Sequence, residues 1–447
     1  MRTMTRGTPW KHILIFSLPI LLGALFQQLY HTADTLIVGN YLGEKSLAAV
    51  GTTGTLLFLF LSAAIGFSAG NGVLVAQYFG ADDEKMLRKS ASTGIMLMLG
   101  SGVLLSLCGI IFSRVIFRRF LAVPPEIVEE TLVYFRLCCA GLIFQFAYNI
   151  FSSILRAVGN SAATLYFLLT ASVLNVALDW LFVAIFHWGV AGAAHATNIS
   201  QAVSALAAGV YMVKKYPVFC WKRQDFVWEK HLAAETVKIG FPITLQLSIV
   251  AVGLSFIQRA VNSFGAVMTA AFTVGQRIEM YLHLPCNALQ TALATYSGQN
   301  IGAGKMERVT PGARQGVIIS MIFTALLSVT VWALSGWLVN IFGLSEEAAE
   351  YCASYLQAVV LINIILSSYV PLFGVFQGAR HCIFPVFVAL TALTLRVSVT
   401  YLFKDSAIFG KSIIWWNGLF GFCIGCLLTW CFYLSGKWRK NASITGK

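Results

Sequence analysis

Three carboxylates stand in stretches otherwise built of apolar residues: Asp34, Asp179 and Glu279. An ionised side chain at the centre of a bilayer costs about 2.5–3.5 kcal/mol on insertion scales, so each needs a reason to be there. The spacing around two of them is informative. Gln27 and Tyr30 precede Asp34 by seven and four residues, which sets all three on one helical face. Asn175 precedes Asp179 by four, one turn away on the same face. Thr197 follows in the next apolar stretch. Oxygens from Asp, Asn and Thr suit a hard monovalent cation. Two carboxyl groups brought together away from water also repel one another, which suits them to take up and release a proton. The bland alternative places Asp34 or Asp179 at a wet helix end, or beside a stray arginine.

The elements that position these residues follow from composition. The chain has 447 residues, of which 58% are hydrophobic and 11% charged, against about 25% charged in soluble domains. Its mean hydropathy is +0.76. One water-soluble fold has no room to hide that much apolar surface, so lipid must cover the rest. The same figures exclude disorder, a secreted disulfide scaffold, a coiled coil and a nucleic-acid binder. Twelve apolar stretches approach or exceed the ~20 residues of a spanning helix: roughly 12–36, 47–77, 90–113, 131–155, 161–185, 190–213, 236–260, 268–297, 315–341, 351–375, 382–403 and 412–436. Their length and period predict an all-α polytopic membrane protein, not a barrel. Asp34 lies 23 residues past Lys11, roughly 35 Å along the first helix, and Asp179 lies 18 past Ser161, roughly 27 Å along the fifth. Thr197 sits about two turns below the outer surface on the descending sixth helix. The polar set is therefore expected to converge in the outer half of the first six helices.

The polar stretch Lys214 to Glu235 divides the helices six and six, giving an N-lobe at 1–213, a cytoplasmic linker at 214–235 and a C-lobe at 236–447. The halves repeat. Leu18-Pro19-Ile20 answers Phe241-Pro242-Ile243 at an offset of 223, Phe79-Gly80-Ala81 answers Ile301-Gly302-Ala303 at 222, and Leu155-Arg156-Ala157 answers Phe376-Gln377-Gly378 at 221. Ordered matches at a near-constant offset mark two copies of one six-helix unit. An even helix count makes them parallel repeats. The net charge of +13 comes from 31 Lys and Arg against 18 Asp and Glu. With the N-terminus inside, the inner segments (Arg2, Lys85, Lys214, Lys222, Arg223, Lys305, Lys437 and Lys447 among others) far outweigh the outer loops, whose basic residues are Lys45, Arg114, Arg118, Arg119, Lys404 and Lys411. Both termini are thus expected in the cytoplasm. The basic start, Met1 to Lys11, leads into an apolar run without a small-residue cleavage site, read as a retained helix.

Repeated helical bundles with short loops read as a secondary transporter. The chain has no GxxxxGK[ST] loop for ATP, and no nucleophile or metal cluster stands out. The expectation is neither an enzyme nor a cofactor protein. The ten cysteines, the Cys423–Cys426 pair included, read as small buried hydrophobes. At the repeat offsets Asp34 aligns with Ile257, Asn175 with Arg396 and Asp179 with Thr400, so the two halves are chemically unequal. Glu279 is either a cavity carboxylate that attracts cationic solutes or the partner of Arg277. Pro19 and Pro242 each remove a hydrogen bond inside the first helix of a half. Each is either a static kink or, at Pro19, a bend that changes with the state of Asp34. His31, His195 and His283 read as packed or interfacial, and His31, three residues before Asp34, is the one to test.

The run LPILLGALFQQLYHTADTLIVGNYLGEKSLAAVG, followed in order by LVAQYFGA, ILRAVGN, NVALD, GVAGAAHAT and YSGQNIGAG, resembles the multidrug and toxic compound extrusion (MATE) family over almost the whole chain. The resemblance implies two six-helix bundles around a V-shaped cavity in the inner membrane. It also implies alternating access, with export of organic, often cationic, compounds in exchange for H⁺ or Na⁺. It assigns Asp34, with Gln27 and Tyr30, to the first-helix acidic site, and Asn175, Asp179 and Thr197 to its cation- or proton-binding partners. Carboxylates that one branch places in helices seven and ten are missing at Val250 and across Leu361 to Ser368, which favours coupling in the N-lobe. The expected partners are small organic substrates and the bilayer, with the chain acting as a monomer and binding no nucleic acid. The competing function is a flippase for a lipid-linked saccharide, for which Arg156, Arg259, Arg277 and Arg396 offer charge.

Overall fold

The computed structural model describes residues 3–221, 226–406, 409–440 and 442–443. Arg2, Lys222, Arg223 and Lys447 of the charge tally lie outside the described residues. Long apolar runs form long helices because in lipid each backbone group must be paired within its own segment. The first, α1 (Pro9–Gly80), contains both of the first two expected spans. They part at Gly43, whose positive φ and extended ψ suit a residue without Cβ. Next come α2 (Glu84–Val115), which ends in a π-helical turn, Ile116–Phe120, then α3 (Val128–Ala140) and α4 (Leu142–Ala157). The fourth expected span is therefore two pieces, bent by 41° at Gly141. Then follow α5 (Ser161–Asp179), α6 (Gly189–Lys215), α7 (Lys230–Asn262), α8 (Ala266–Gly302) and α9 (Met306–Ala333). A short α10 (Ser335–Ile341) precedes α11 (Glu346–Gly378), α12 (Ile383–Phe403) and α13 (Ile413–Leu434). Among the described residues, eight helices are long and apolar enough to cross a bilayer, and the bent pair makes a ninth; α1 alone has the length of two spans, and α6 and α8 are the more polar of the remaining long helices. Large residues such as Val173, Leu206, Leu326, Leu402, Leu427 and Leu434 are exposed, as expected of a lipid-facing surface. Cys220, Cys423 and Cys431 are exposed, not buried as expected.

The chain forms two compact units: Leu22–Thr244 (with Met1–Thr3) as unit 1, and Met4–Leu21 with Leu245–Lys447 as unit 2. The chain passes from one unit to the other inside α1 and again inside α7, two residues after Pro19 and two after Pro242.

In unit 1 the second half of α1 packs backbone to backbone on the start of α7. A Cβ at Gly70 would lie 2.6 Å from the Thr236 carbonyl, and one at Gly240 would lie 2.7 Å from Phe67 Cα. Small residues bring helices this close in membranes, where van der Waals contact drives association. The stretch of chain leading into α7 is tied to α2. Val227 O accepts the Ser92 and Thr93 hydroxyls at 3.1 and 3.2 Å, and Lys89 Nζ donates to Glu229 Oε1 at 2.5 Å. That bond holds the Glu229 carboxyl below the usual carboxylate range.

Unit 2 has an analogous tie from the N-terminal segment. Met4 is buried, its N–H donates to Gln299 Oε1 at 2.9 Å, and Arg308 donates to Gly7 O at 2.8 Å. The core of this unit runs through α8, α9 and α11 and includes Ile13 and Phe16 of α1.

Candidate functional site

Three helices of unit 1 carry the residues singled out by spacing. Gln27, Tyr30 and Asp34 lie on α1, Asn175 and Asp179 on α5, and Thr197 on α6. Asn160 fixes the start of α5, its Oδ1 accepting from Ala163 N at 3.0 Å. Gly23 lets α1 approach α5 closely, its Cβ position 3.1 Å from Leu168. Asp179 is the last residue of α5 before a π-helical turn, Trp180–Ile185. Such widened turns recur at functional sites.

The structure brings the set together. Asp179 is fully buried and Asn175 is 3% exposed, while Gln27, Tyr30, Asp34 and Thr197 are half-buried. The Asp34 and Asp179 carboxyls meet. Asn175 Nδ2 lies 3.4 Å from Thr197 Oγ1, whose proton goes to Ala193 O at 3.1 Å. Gln27 and both aspartates stand close to the Tyr30 hydroxyl. Apart from the contact between the carboxyls, neither oxygen of Asp179 has a hydrogen-bond partner, nor has Asp34 Oδ1 or Asn175 Oδ1. Four buried acceptors thus converge without a donor. An unmet buried polar group costs about 1–3 kcal/mol, and a proton or an oxygen-seeking cation relieves this arrangement directly. His31 is exposed, its ring 4.2 Å from the Tyr30 ring.

Sequence reasoning missed Tyr134 and Cys138 on α3. Tyr134 is 8% exposed and stands close to Cys138 and to both aspartates. An aromatic inside an apolar run looks like core packing, so no signal marked it. The bend at Gly141 shapes this wall, and Asn198 of α6 donates to Leu137 O at 2.7 Å beside it.

Unit 2 has no copy of the acidic pair among the described residues. Ile257 is fully buried at the position that answers Asp34. Arg396, which answers Asn175, donates through Nε to Asn417 Oδ1 at 2.8 Å, and Thr400 donates to Arg396 O at 2.8 Å. Glu279 is not tied to Arg277, which is exposed. The Glu279 Oε2 accepts the Tyr355 hydroxyl, Oε1 lies 3.4 Å from Asn363 Nδ2, and His283 Nε2 lies 3.6 Å away. His283, expected to be packed or interfacial, is thus a partner of Glu279. Pro19 is half-buried in the part of α1 that belongs to unit 2, about four turns before Asp34.

An all-helical repeat with a buried polar cluster at membrane depth defines a polytopic transporter. The family model MatE matches this chain twice, over residues 19–181 and 242–402. The first match opens on Pro19 and the second on Pro242, the two prolines that mark the repeat in the sequence. The chain is 30% identical to the "Probable multidrug resistance protein YpnP" of Bacillus subtilis, over 99% of both chains. It is 24% identical to the "Probable multidrug resistance protein NorM" of Thermotoga maritima, over 97% of this chain and 94% of that one. A solved outward-facing multidrug resistance MATE family transporter of the MOP superfamily superposes with a TM-score of 0.92 at 23% identity, covering 98% of each chain. This protein belongs to the MATE family of multidrug efflux transporters.

Proposed function

We propose that this protein is an antiporter of the inner membrane, exporting organic, chiefly cationic and amphipathic, compounds in exchange for H⁺ or Na⁺. In this reading Asp34 and Asp179 hold the coupling ion, with Asn175 and Thr197 as oxygen partners and Gln27 and Tyr30 lining the approach. Glu279 receives the cationic part of the solute. The chain works as a monomer, alternates access between residues 1–213 and 236–447, and keeps both termini in the cytoplasm. The observation that carries the proposal is the group of four buried acceptor oxygens on Asp34, Asp179 and Asn175 that lack a donor.

Exchange follows from linkage. An ion that binds one conformation better than the other shifts the balance by its differential affinity alone. If the ion lowers the affinity for the solute, the solute lowers the affinity for the ion by the same factor. Asp34 lies in unit 1, while the stretch of α1 through Leu21, with Pro19, lies in unit 2. One helix therefore carries both the ion site and the bend that answers it. The flippase alternative asks for a cluster of free cations to hold pyrophosphate. Arg396 stands near Glu279, whose carboxylate offsets its charge, with its Nε directed at Asn417.

The test is ethidium efflux from proteoliposomes under an imposed pH gradient and, separately, a Na⁺ gradient. Asp34→Asn is expected to reduce gradient-driven efflux at least tenfold while eluting as folded protein. Wild-type efflux in that variant overturns the scheme, and the gradient that drives wild-type efflux identifies the ion.

A further inference from the structure

Glu279 is the one carboxylate of unit 2, among the described residues, that is not exposed; Glu307, Glu346, Glu347, Glu350 and Asp405 all face outward. Its side chain is 12% exposed. Two neutral donors reach it: the Tyr355 hydroxyl on Oε2 and Asn363 Nδ2 at 3.4 Å from Oε1. Asn363 is itself fully buried. Its Nδ2 is shared with Val359 O at 2.9 Å, and its Oδ1 has no partner. An orphaned amide oxygen beside a carboxylate asks for a cationic guest.

The third neighbour is titratable. His283 follows Glu279 by one turn of the same helix, and its Nε2 stands 3.6 Å from Oε1. That is an ion-pair distance, beyond a direct hydrogen bond. The other ionisable groups of unit 2 near the carboxylate are few. On α11 they are Tyr355 and Cys352, and on α12 Arg396, whose guanidinium lies over Phe422 at 5.1 Å and whose charge reaches Glu279. On α8 Arg277 is exposed, and Cys286 is directed at Thr324 of α9. From α13, Trp415 packs on the Tyr355 ring and Asn417 holds Arg396, neither of them charged. On α7 Arg259 is exposed.

We propose that Glu279, Asn363 and His283 form a subsite in unit 2 for the ammonium or other cationic group of a solute, gated by the imidazole. With His283 neutral, the negative charge of Glu279 and the unpartnered Asn363 oxygen are left for the cation to satisfy. When His283 binds a proton, the imidazolium pairs with Glu279 and takes the place of the guest. The gate uses a proton of its own, separate from the pair at Asp34 and Asp179. The inference rests on the reading of Glu279 as the solute-binding carboxylate.

The experiment titrates ethidium into protein in nanodiscs at about pH 8 and about pH 5.5, which bracket the ordinary histidine range. Asp34→Asn is the background, so that the unit 1 pair does not drive the response. Affinity is expected to fall at least tenfold on acidification. His283→Gln flattens the response to acid to within about twofold of that variant's own affinity at pH 8. Glu279→Gln weakens binding at least tenfold at pH 8. Should His283→Gln fail to fold, His283→Asn makes the same measurement. A full acid response without the imidazole overturns the gate even if Glu279→Gln is weak. Unchanged binding by Glu279→Gln, or no ethidium binding by wild type at pH 8, overturns the subsite itself.

Discussion

Asp179 is fully buried against a second carboxyl, and nothing among the described residues donates a hydrogen bond to it. An amide or an apolar group in its place favours stability, because removing one of two abutting carboxyls relieves desolvation and repulsion together. Asp179→Asn is therefore expected to raise the melting temperature by a few degrees, worth about 1–3 kcal/mol, and to abolish gradient-driven efflux. A thermal shift measured beside transport checks it, and a variant that melts lower with efflux intact contradicts the reading. At this scale the sequence carried a good deal. Asp34, Asp179, Asn175 and Thr197 were legible because carboxylates in apolar runs are expensive and helical spacing sets their faces. Tyr134 was not, since nothing but the fold separates a site tyrosine from a core one. The pair of Glu279 and His283 was visible as a spacing of four. The nearby Arg277 offered a simpler partner, and only the turn of α8 decides between them.

Among the elements, α1 has the most to do. Gly43 divides it, the run through Leu21 is part of unit 2, and Asp34 rides on the portion in unit 1. Pro19 removes one backbone bond just before the change of unit. Pro19→Ala restores the missing donor and stiffens the helix. The expected outcome is efflux slowed at least several-fold with a melting temperature at or above wild type. Unaltered turnover in the same proteoliposome assay makes Pro19 a static kink. Helix positions were readable from apolar length, but two details were not. The polar run Asn40-Tyr41-Leu42-Gly43-Glu44-Lys45-Ser46 reads as a loop, yet it stays helical on both sides of a single glycine. Gly141 sits in an apolar run and gives no sign that the helix breaks there, because the bend is stabilised by a distant residue, Asn198, next to the break.

For the molecule as a whole, the proposed topology has the segment between α6 and α7 in the cytoplasm, the side that the charge bias of the loops favours. Cys220 in that segment is exposed, and Asp405, in the connection after α12, is 82% exposed. A membrane-impermeant maleimide is expected to label Cys220 in inside-out vesicles alone, and an Asp405→Cys variant that also carries Cys220→Ser in right-side-out vesicles alone. The reverse pattern inverts the topology and with it the direction of export. The two-fold repeat was plain from the proline motifs, whereas the boundary between the compact units was not. Sequence marks the polar linker as the natural divide, but the packing of the backbone carries unit 1 on to Thr244 and returns Met4–Leu21 to unit 2.

That exchange of segments has a consequence for dissection. A cut in the polar linker separates the two sequence repeats but not the two compact units, because each half then carries away a stretch that belongs to the other's unit: Met4–Leu21 on one side, the start of α7 through Thr244 on the other.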